Sequence, residues 1–126
     1  MSAIPPVDPN DPPSLEPLRD AWQAVLRIQD WDIEVSYRRH LERSSITLRA
    51  AYKRAVVELM HPLDWDDRLP YDVEKQLVHE LCHVHFAPLD TRDHSTLHGF
   101  AEEQAVESFA RALVSLKRFL TPPEAP

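Results

Sequence analysis

Residues 71–84 read Tyr71-Asp72-Val73-Glu74-Lys75-Gln76-Leu77-Val78-His79-Glu80-Leu81-Cys82-His83-Val84, a stretch without Gly or Pro. Leu77, Leu81 and Val84 recur at the spacing of one buried helical face. Asp72, just after Pro70, is a residue type that caps a helix N-terminus. The stretch therefore predicts a helix with His79-Glu80-Leu81-Cys82-His83 in its middle. Histidines at i and i+4 share a helix face, about one turn from each other. Each can offer a neutral nitrogen to one Zn²⁺ ion at roughly 2.0–2.1 Å. Glu80 follows the first ligand directly, so its carboxylate can reach a metal-bound water without ligating the metal, as a general base must. The competing reading is a surface helix carrying two solvated histidines.

Composition bounds what surrounds this helix. A chain of 126 residues with 43% hydrophobic content makes one globular domain with a modest core. The net charge of −7 argues against a large non-specific nucleic-acid surface while leaving room for a local basic patch. A single Cys excludes an internal disulfide, and Cys82 reads as a small buried apolar residue. No apolar run approaches the ~18 residues of a membrane span. The N-terminus carries no basic or apolar signal region, and the expected compartment is the cytoplasm. Oligomeric state is left open. One Gly against twelve Pro implies few tight positive-φ turns and extended ends. Residues 1–13, with five Pro, read as a disordered or extended arm, residues 14–120 as one domain, and residues 121–126 as a disordered tail.

Within the domain, residues 14–29 predict a first helix. Ser14 is its cap, Pro17 lies in its first turn, and its apolar stripe is Leu15, Leu18, Trp22, Val25 and Leu26. Trp31, Ile33, Val35 and Tyr37 alternate with polar residues as in a half-buried strand. Residues 53–60 predict a second strand through Ala55, Val57 and Leu59, against a competing helix over residues 50–60, and residues 45–48 a further short one. Pro62 stops the second strand, and residues 64–70 form an acidic loop. After a break at residues 87–90, a last helix begins near residues 93–96 and runs to residue 119 or 120. Its expected core stripe is Val106, Phe109, Leu113, Leu116 and Leu120, spaced 3, 4, 3, 4, with Lys117 and Arg118 in its last turn. The fold class is α+β: an N-terminal helix, a small twisted sheet of two to three strands, the motif helix and a long C-terminal helix.

A catalytic zinc has three protein ligands and an open position, so a third ligand is sought downstream. Glu103 stands 20 residues after His83. If the two helices pack antiparallel, it returns level with the histidines. Glu107, one turn on, can then accept a hydrogen bond from the outer nitrogen of His79 or His83 and fix its tautomer. Against this, Glu102, Glu103 and Glu107 also read as a solvated helix face. His98 competes as third ligand, 15 residues after His83 and followed by the single glycine, Gly99. Glu107 is a further candidate for the third ligand, and Asp90 a weaker one. His85 lies about 200° around the helix from His83 and points away. His94 reads as a helix-start residue, and no motif surrounds His40 or His61. The oxyanion of a hydrolytic transition state needs a donor, with Tyr71, His61 and His98 as candidates. The strand through Val56 and Met60 is read as an edge against which an extended substrate can lie.

His79–His83 followed by Glu103-Gln104-Ala105-Val106-Glu107 resembles the gluzincin zinc metallopeptidases. The resemblance implies that His79, His83 and Glu103 bind Zn²⁺, that Glu80 activates water, and that Glu107 steadies a ligand histidine. The order of helix, strands, motif helix and a last helix that is Glu-rich then Ala/Leu-rich over residues 102–116 also resembles small metallopeptidase-like proteins of phages and prophages. It covers residues 15–120 and implies a minimal zincin-like domain. His98-Gly99 resembles instead the SprT-like proteases, which cut protein crosslinked to DNA and use a third His before a Gly. The acidic chain speaks against that assignment. The expected function is zinc-dependent peptide-bond hydrolysis by metal-activated water, with Glu80 as general base. The alternative is a non-catalytic zinc-binding or inactive protease-like interaction domain.

Overall fold

The computed structural model describes residues 7–66, 69–89 and 96–121. Its architecture is α+β: three α-helices and a three-stranded mixed sheet. Alternation of apolar and polar residues makes the strands β1 (Asp32–Arg38), β2 (Ser45–Arg49) and β3 (Arg54–Met60). The sheet order is β1-β3-β2, with β1 parallel and β2 antiparallel to β3. The register sets Val35 and Ile46 on either side of Val57, so one face of all three strands is apolar. β3 is thus the central strand, and the expectation that it forms a substrate-binding edge is overturned. Its side chains Ala55, Val57 and Leu59 are the most buried of the sheet, and a strand that apolar gains most from the middle position. The open edges belong to β1 and β2.

The helices cover the apolar face of the sheet. Helix α1 (Glu16–Leu26) starts one residue after Leu15, which occupies the cap position without a side-chain bond. Ser14, expected as the cap, turns its hydroxyl to the Glu16 carboxylate instead, at 2.9 Å. The helix also stops short of residue 29. Arg27 adopts φ 60°, and the amides of Arg27 and Ile28 return to the carbonyls of Ala24 and Gln23, which closes the helix C-terminally. With no Gly at hand, Arg27, His40 and Lys53 all take left-handed backbone, at roughly 1–2 kcal/mol each. Trp22 and Leu26 are buried as expected, but Val25 is exposed, since only a narrow stripe of α1 meets the sheet.

Helix α2 (Val73–Cys82) is capped by Asp72, whose carboxylate accepts from the Lys75 amide at 3.1 Å. Leu77, Val78 and Leu81 are fully buried against β3 and α1. The motif sits at the end of α2, not mid-helix. From His83 the chain tightens into a 3-10 segment, His83–Leu89, because Pro88 has no amide and its ring would clash within a continuing α-helix. His83 itself keeps helical angles, φ −59° and ψ −25°, so the one-turn relation to His79 survives.

Helix α3 (Leu97–Leu120) is capped by Thr96, whose hydroxyl accepts from the Gly99 amide at 3.0 Å. It buries Gly99, Glu102, Val106, Ala110 and Val114. The expected stripe is therefore only partly right. Val106 is buried and Leu113 packs at the core margin, but Phe109, Leu116 and Leu120 are exposed. The small side chains of Ala110 and Val114 admit a close approach to α2, and this rotation turns three glutamates inward. Residues 1–6 of the arm, the candidates Asp90 and His94, and residues 122–126 lie outside the described residues. The described end of the arm is tied down by the Tyr37 hydroxyl, which donates to the Pro13 carbonyl at 2.8 Å. Among the described residues, no helix is long and apolar enough to cross a membrane.

Candidate metal centre

Helices α2 and α3 run antiparallel, since Asp72 pairs with Arg118, His79 with Glu107 and His83 with Glu103. This brings Glu103 level with the two histidines. His79 Nε2 stands 2.6 Å from Glu103 Oε1, and His83 Nε2 stands 3.2 Å from Glu103 Oε2. The ligand atoms of His79, His83 and Glu103 all lie within 4.8 Å of one another, the one such His/Cys/Asp/Glu cluster among the described residues. His98 is exposed on the first turn of α3 and lies outside it.

Each ring is held from behind by a second carboxylate. His79 Nδ1 is 2.7 Å from Glu107 Oε2, as anticipated, and His83 Nδ1 is 3.4 Å from Glu102 Oε1. Glu102 was missed, being read as part of a solvated face, yet its side chain is only 4% exposed. Its signal was the position one before the ligand, legible only once the buried face of α3 is known. A neutral ring that gives its Nδ1–H to a carboxylate would turn the lone pair of Nε2 towards Glu103, which is itself an acceptor. Converging acceptors require a cation between them, a proton or a metal ion. Two imidazole nitrogens and a carboxylate are the donor set of a catalytic zinc, at about 2.0–2.2 Å from the ion. Glu103 is 40% exposed while the histidine side chains are 15% and 9% exposed, so the cluster meets solvent on its Glu103 side.

The electrostatics agree. Hydrogen bonds from His79 and His83 hold the Glu103 carboxyl far below its usual value. Burial opposes charge on His79 and His83, yet Glu103 and its neighbours raise both above the ordinary histidine value. Burial likewise opposes charge on Glu107, but Lys75 and Arg111 bring it down to about 2. Glu80 is buried beside the pair. Desolvation pushes its carboxyl up, partly offset by the two histidines.

An open cleft of about 270 Å³ borders the cluster, with Arg43, Ser44, Gln76, Glu80 and Glu103 in its walls. Ser44 fastens the wall: its hydroxyl donates to Gln76 Oε1 at 2.5 Å and accepts from the Met60 amide at 2.9 Å. The buried Nε2 of Gln76 has no partner among the described residues. Arg43, Ser44 and Gln76 carried no motif and were not singled out. Two expected oxyanion donors, Tyr71 and His61, lie outside the walls of this cleft. The Tyr71 hydroxyl donates to the Met60 carbonyl at 2.6 Å, and burial raises its pKa well above the usual phenol value. His61 Nδ1 accepts from the Leu63 amide at 3.1 Å, and its ring meets Tyr37 edge-on at 6.0 Å. His85 turns away to the Leu26 carbonyl at 2.8 Å, and Cys82 is a buried thiol pushed up to about 11.

No protein-family model matches the chain, and no curated protein and no solved structure matches it either. The functional reading therefore rests on the chain's own geometry.

Proposed function

We propose that the chain is a zinc metallopeptidase of minimal zincin-like, gluzincin-like design, acting on a protein or peptide substrate. A single observation carries this: His79 Nε2, His83 Nε2 and the Glu103 carboxylate converge within 4.8 Å, in an open cleft with buried Glu80 in its wall. Bound there, Zn²⁺ would supply a Lewis acid and lower the pKa of water towards 7. Glu107 and Glu102 accept the Nδ1–H of His79 and His83 and so aim both Nε2 atoms at one point. Glu80, adjacent to the first ligand and not part of the cluster, takes a proton from the attacking water and returns it to the leaving amine. A cytoplasmic, phage-derived setting belongs to the same reading.

The experiment is Glu80→Gln assayed on a peptide library with zinc content measured in parallel. Zinc stays bound and hydrolysis is lost; retained hydrolysis removes Glu80 from the mechanism. Loss of zinc in Glu103→Ala but not in His98→Ala assigns the third ligand, and the reverse result favours the SprT-like arrangement. A non-catalytic zinc-binding domain is the second reading. It is favoured by the commitment of the Tyr71 hydroxyl to the Met60 carbonyl and by the cleft wall being built without Tyr71 or His61.

A further inference from the structure

The connection between β1 and β2, residues 39–44, is fastened at both ends. At its start, Arg39 grips Asp64 with two hydrogen bonds of 3.0 and 3.1 Å, and the His40 amide adds a third at 2.8 Å. At its finish, Ser44 is bonded to Gln76 and to the Met60 amide. His40 takes a left-handed φ of 65° between these anchors. Structure is thus invested in where this loop lies, and it lies along the wall of the cleft beside Glu80. The guanidinium it carries there, Arg43, is exposed and forms no hydrogen bond or ion pair among the described residues.

The remaining cations nearby are committed. Lys75, the other basic residue of the cleft, is bound to Glu107 at 2.9 Å, as is Arg111 at 2.9 Å. Arg38 is paired with Glu58, and Arg39 with Asp64. Arg43 alone in this neighbourhood offers a vacant planar fork, the donor geometry that matches a carboxylate. Its charge also reaches into the site, for it is one of the groups acting on the Glu80 carboxyl. An oxyanion donor must be desolvated and rigidly aimed before the reaction. Arg43 is exposed and unfastened at its tip, which suits recognition of a bound ground state instead.

We infer that Arg43 is the specificity-determining residue of the cleft, receiving a carboxylate of the peptide substrate, from either an acidic side chain or the C-terminus. This rests on the peptidase reading above. The test uses zinc-loaded full-length Glu80→Gln protein, alone and combined with Arg43→Gln or Arg43→Lys. The probes are fluorescein-labelled hexapeptides with Glu or Gln flanking the central bond, each with a free or an amidated C-terminus, and binding is read by fluorescence anisotropy. Carboxylate peptides bind roughly tenfold or more tightly than their neutral twins, as a charge-assisted bidentate contact implies. Arg43→Gln erases that ratio and Arg43→Lys restores part of it. The Glu/Gln and free/amidated series tell which carboxylate is read. A ratio unchanged by Arg43→Gln, or no preference for carboxylate in the Arg43 protein, overturns the inference. Wild-type hydrolysis of the same peptides separates the two ideas. Cleavage indifferent to carboxylate removes the Arg43 role and leaves the peptidase standing; Arg43-dependent binding without any cleavage does the opposite.

Discussion

The two ends of α2 are both bound to α3 by acidic side chains, and they solve the charge in opposite ways. At the N-terminal end, Arg118 donates to both oxygens of Asp72 at 2.9 Å and reaches Glu74 at 3.3 Å. Lys117 also pairs with Glu74, to which Trp22 Nε1 donates at 2.8 Å, and the Lys117 ammonium lies over the Trp22 ring at 5.5 Å. Every acid there meets a cation of the chain itself. At the C-terminal end, Glu102, Glu103 and Glu107 face two imidazoles. The first end is a closed clamp that sets the register of the helix pair. The second pairs Glu107 with Lys75 and Arg111 and sets the Glu103 carboxylate against the two imidazole rings.

That contrast can be broken from either side. The largest expected effect is on catalysis: Glu80→Gln lowers peptide hydrolysis by about 10²–10⁴-fold with zinc content unchanged, read by turnover and metal analysis. Next comes the metal linkage. Saturating zinc, at ~100 times its Kd, stabilises the folded chain by about 2.7 kcal/mol, and Glu103→Ala abolishes the rise in melting temperature on zinc addition. Arg118→Ala separates the two ends. It costs about 1–3 kcal/mol in urea denaturation, yet the zinc-induced rise persists. If that rise disappeared along with the clamp, the two ends would not be the independent devices described here. Glu107→Gln has a subtler signature, weakening zinc binding about 10–100-fold in a competition titration while leaving the ligands in place.

The smallest effect concerns acid. Asp64 is hydrogen-bonded by Arg39 and by the His40 amide, which take its carboxyl from an ordinary 3.8 to about 2. A depressed carboxyl contributes stability that is complete above about pH 4 and lost as pH falls towards 2. Urea midpoints of wild type and Asp64→Asn therefore converge across that window; a constant gap between them would remove the Arg39–Asp64 contact as the cause.

Much of the architecture is legible locally because its signals are local. The Asp72 cap, the period-two strands and the one-turn spacing of His79 and His83 each depend on neighbours within a few residues. The ends of α1 and α2 were misread locally, at Ser14, Arg27 and Pro88, and the larger misreadings are long-range. β3 carries no mark of being central, since the central place depends on which strands pair with it. The stripe of Phe109, Leu116 and Leu120 is the more apolar face of α3, yet α3 buries the face with Ala110 and Val114. Packing there is decided by how closely two helices can approach and by what else the buried face must present. For the same reason Glu103 and Glu107 could be placed from spacing, whereas Glu102 could not.

By itself, then, the sequence determined the α+β element order, the cap and direction of α2, and a pair of histidines with an acid beside them. Only the tertiary structure decided that Glu103 meets both Nε2 atoms, that Glu102 and Glu107 stand behind the rings, and that Arg43 lies in the wall beside Glu80 with its guanidinium unpaired among the described residues. The division follows from physics. Backbone propensity and periodicity act over a turn or a few strand residues, while a site is made by side chains from α2, α3 and the β1–β2 loop that meet only when the core closes.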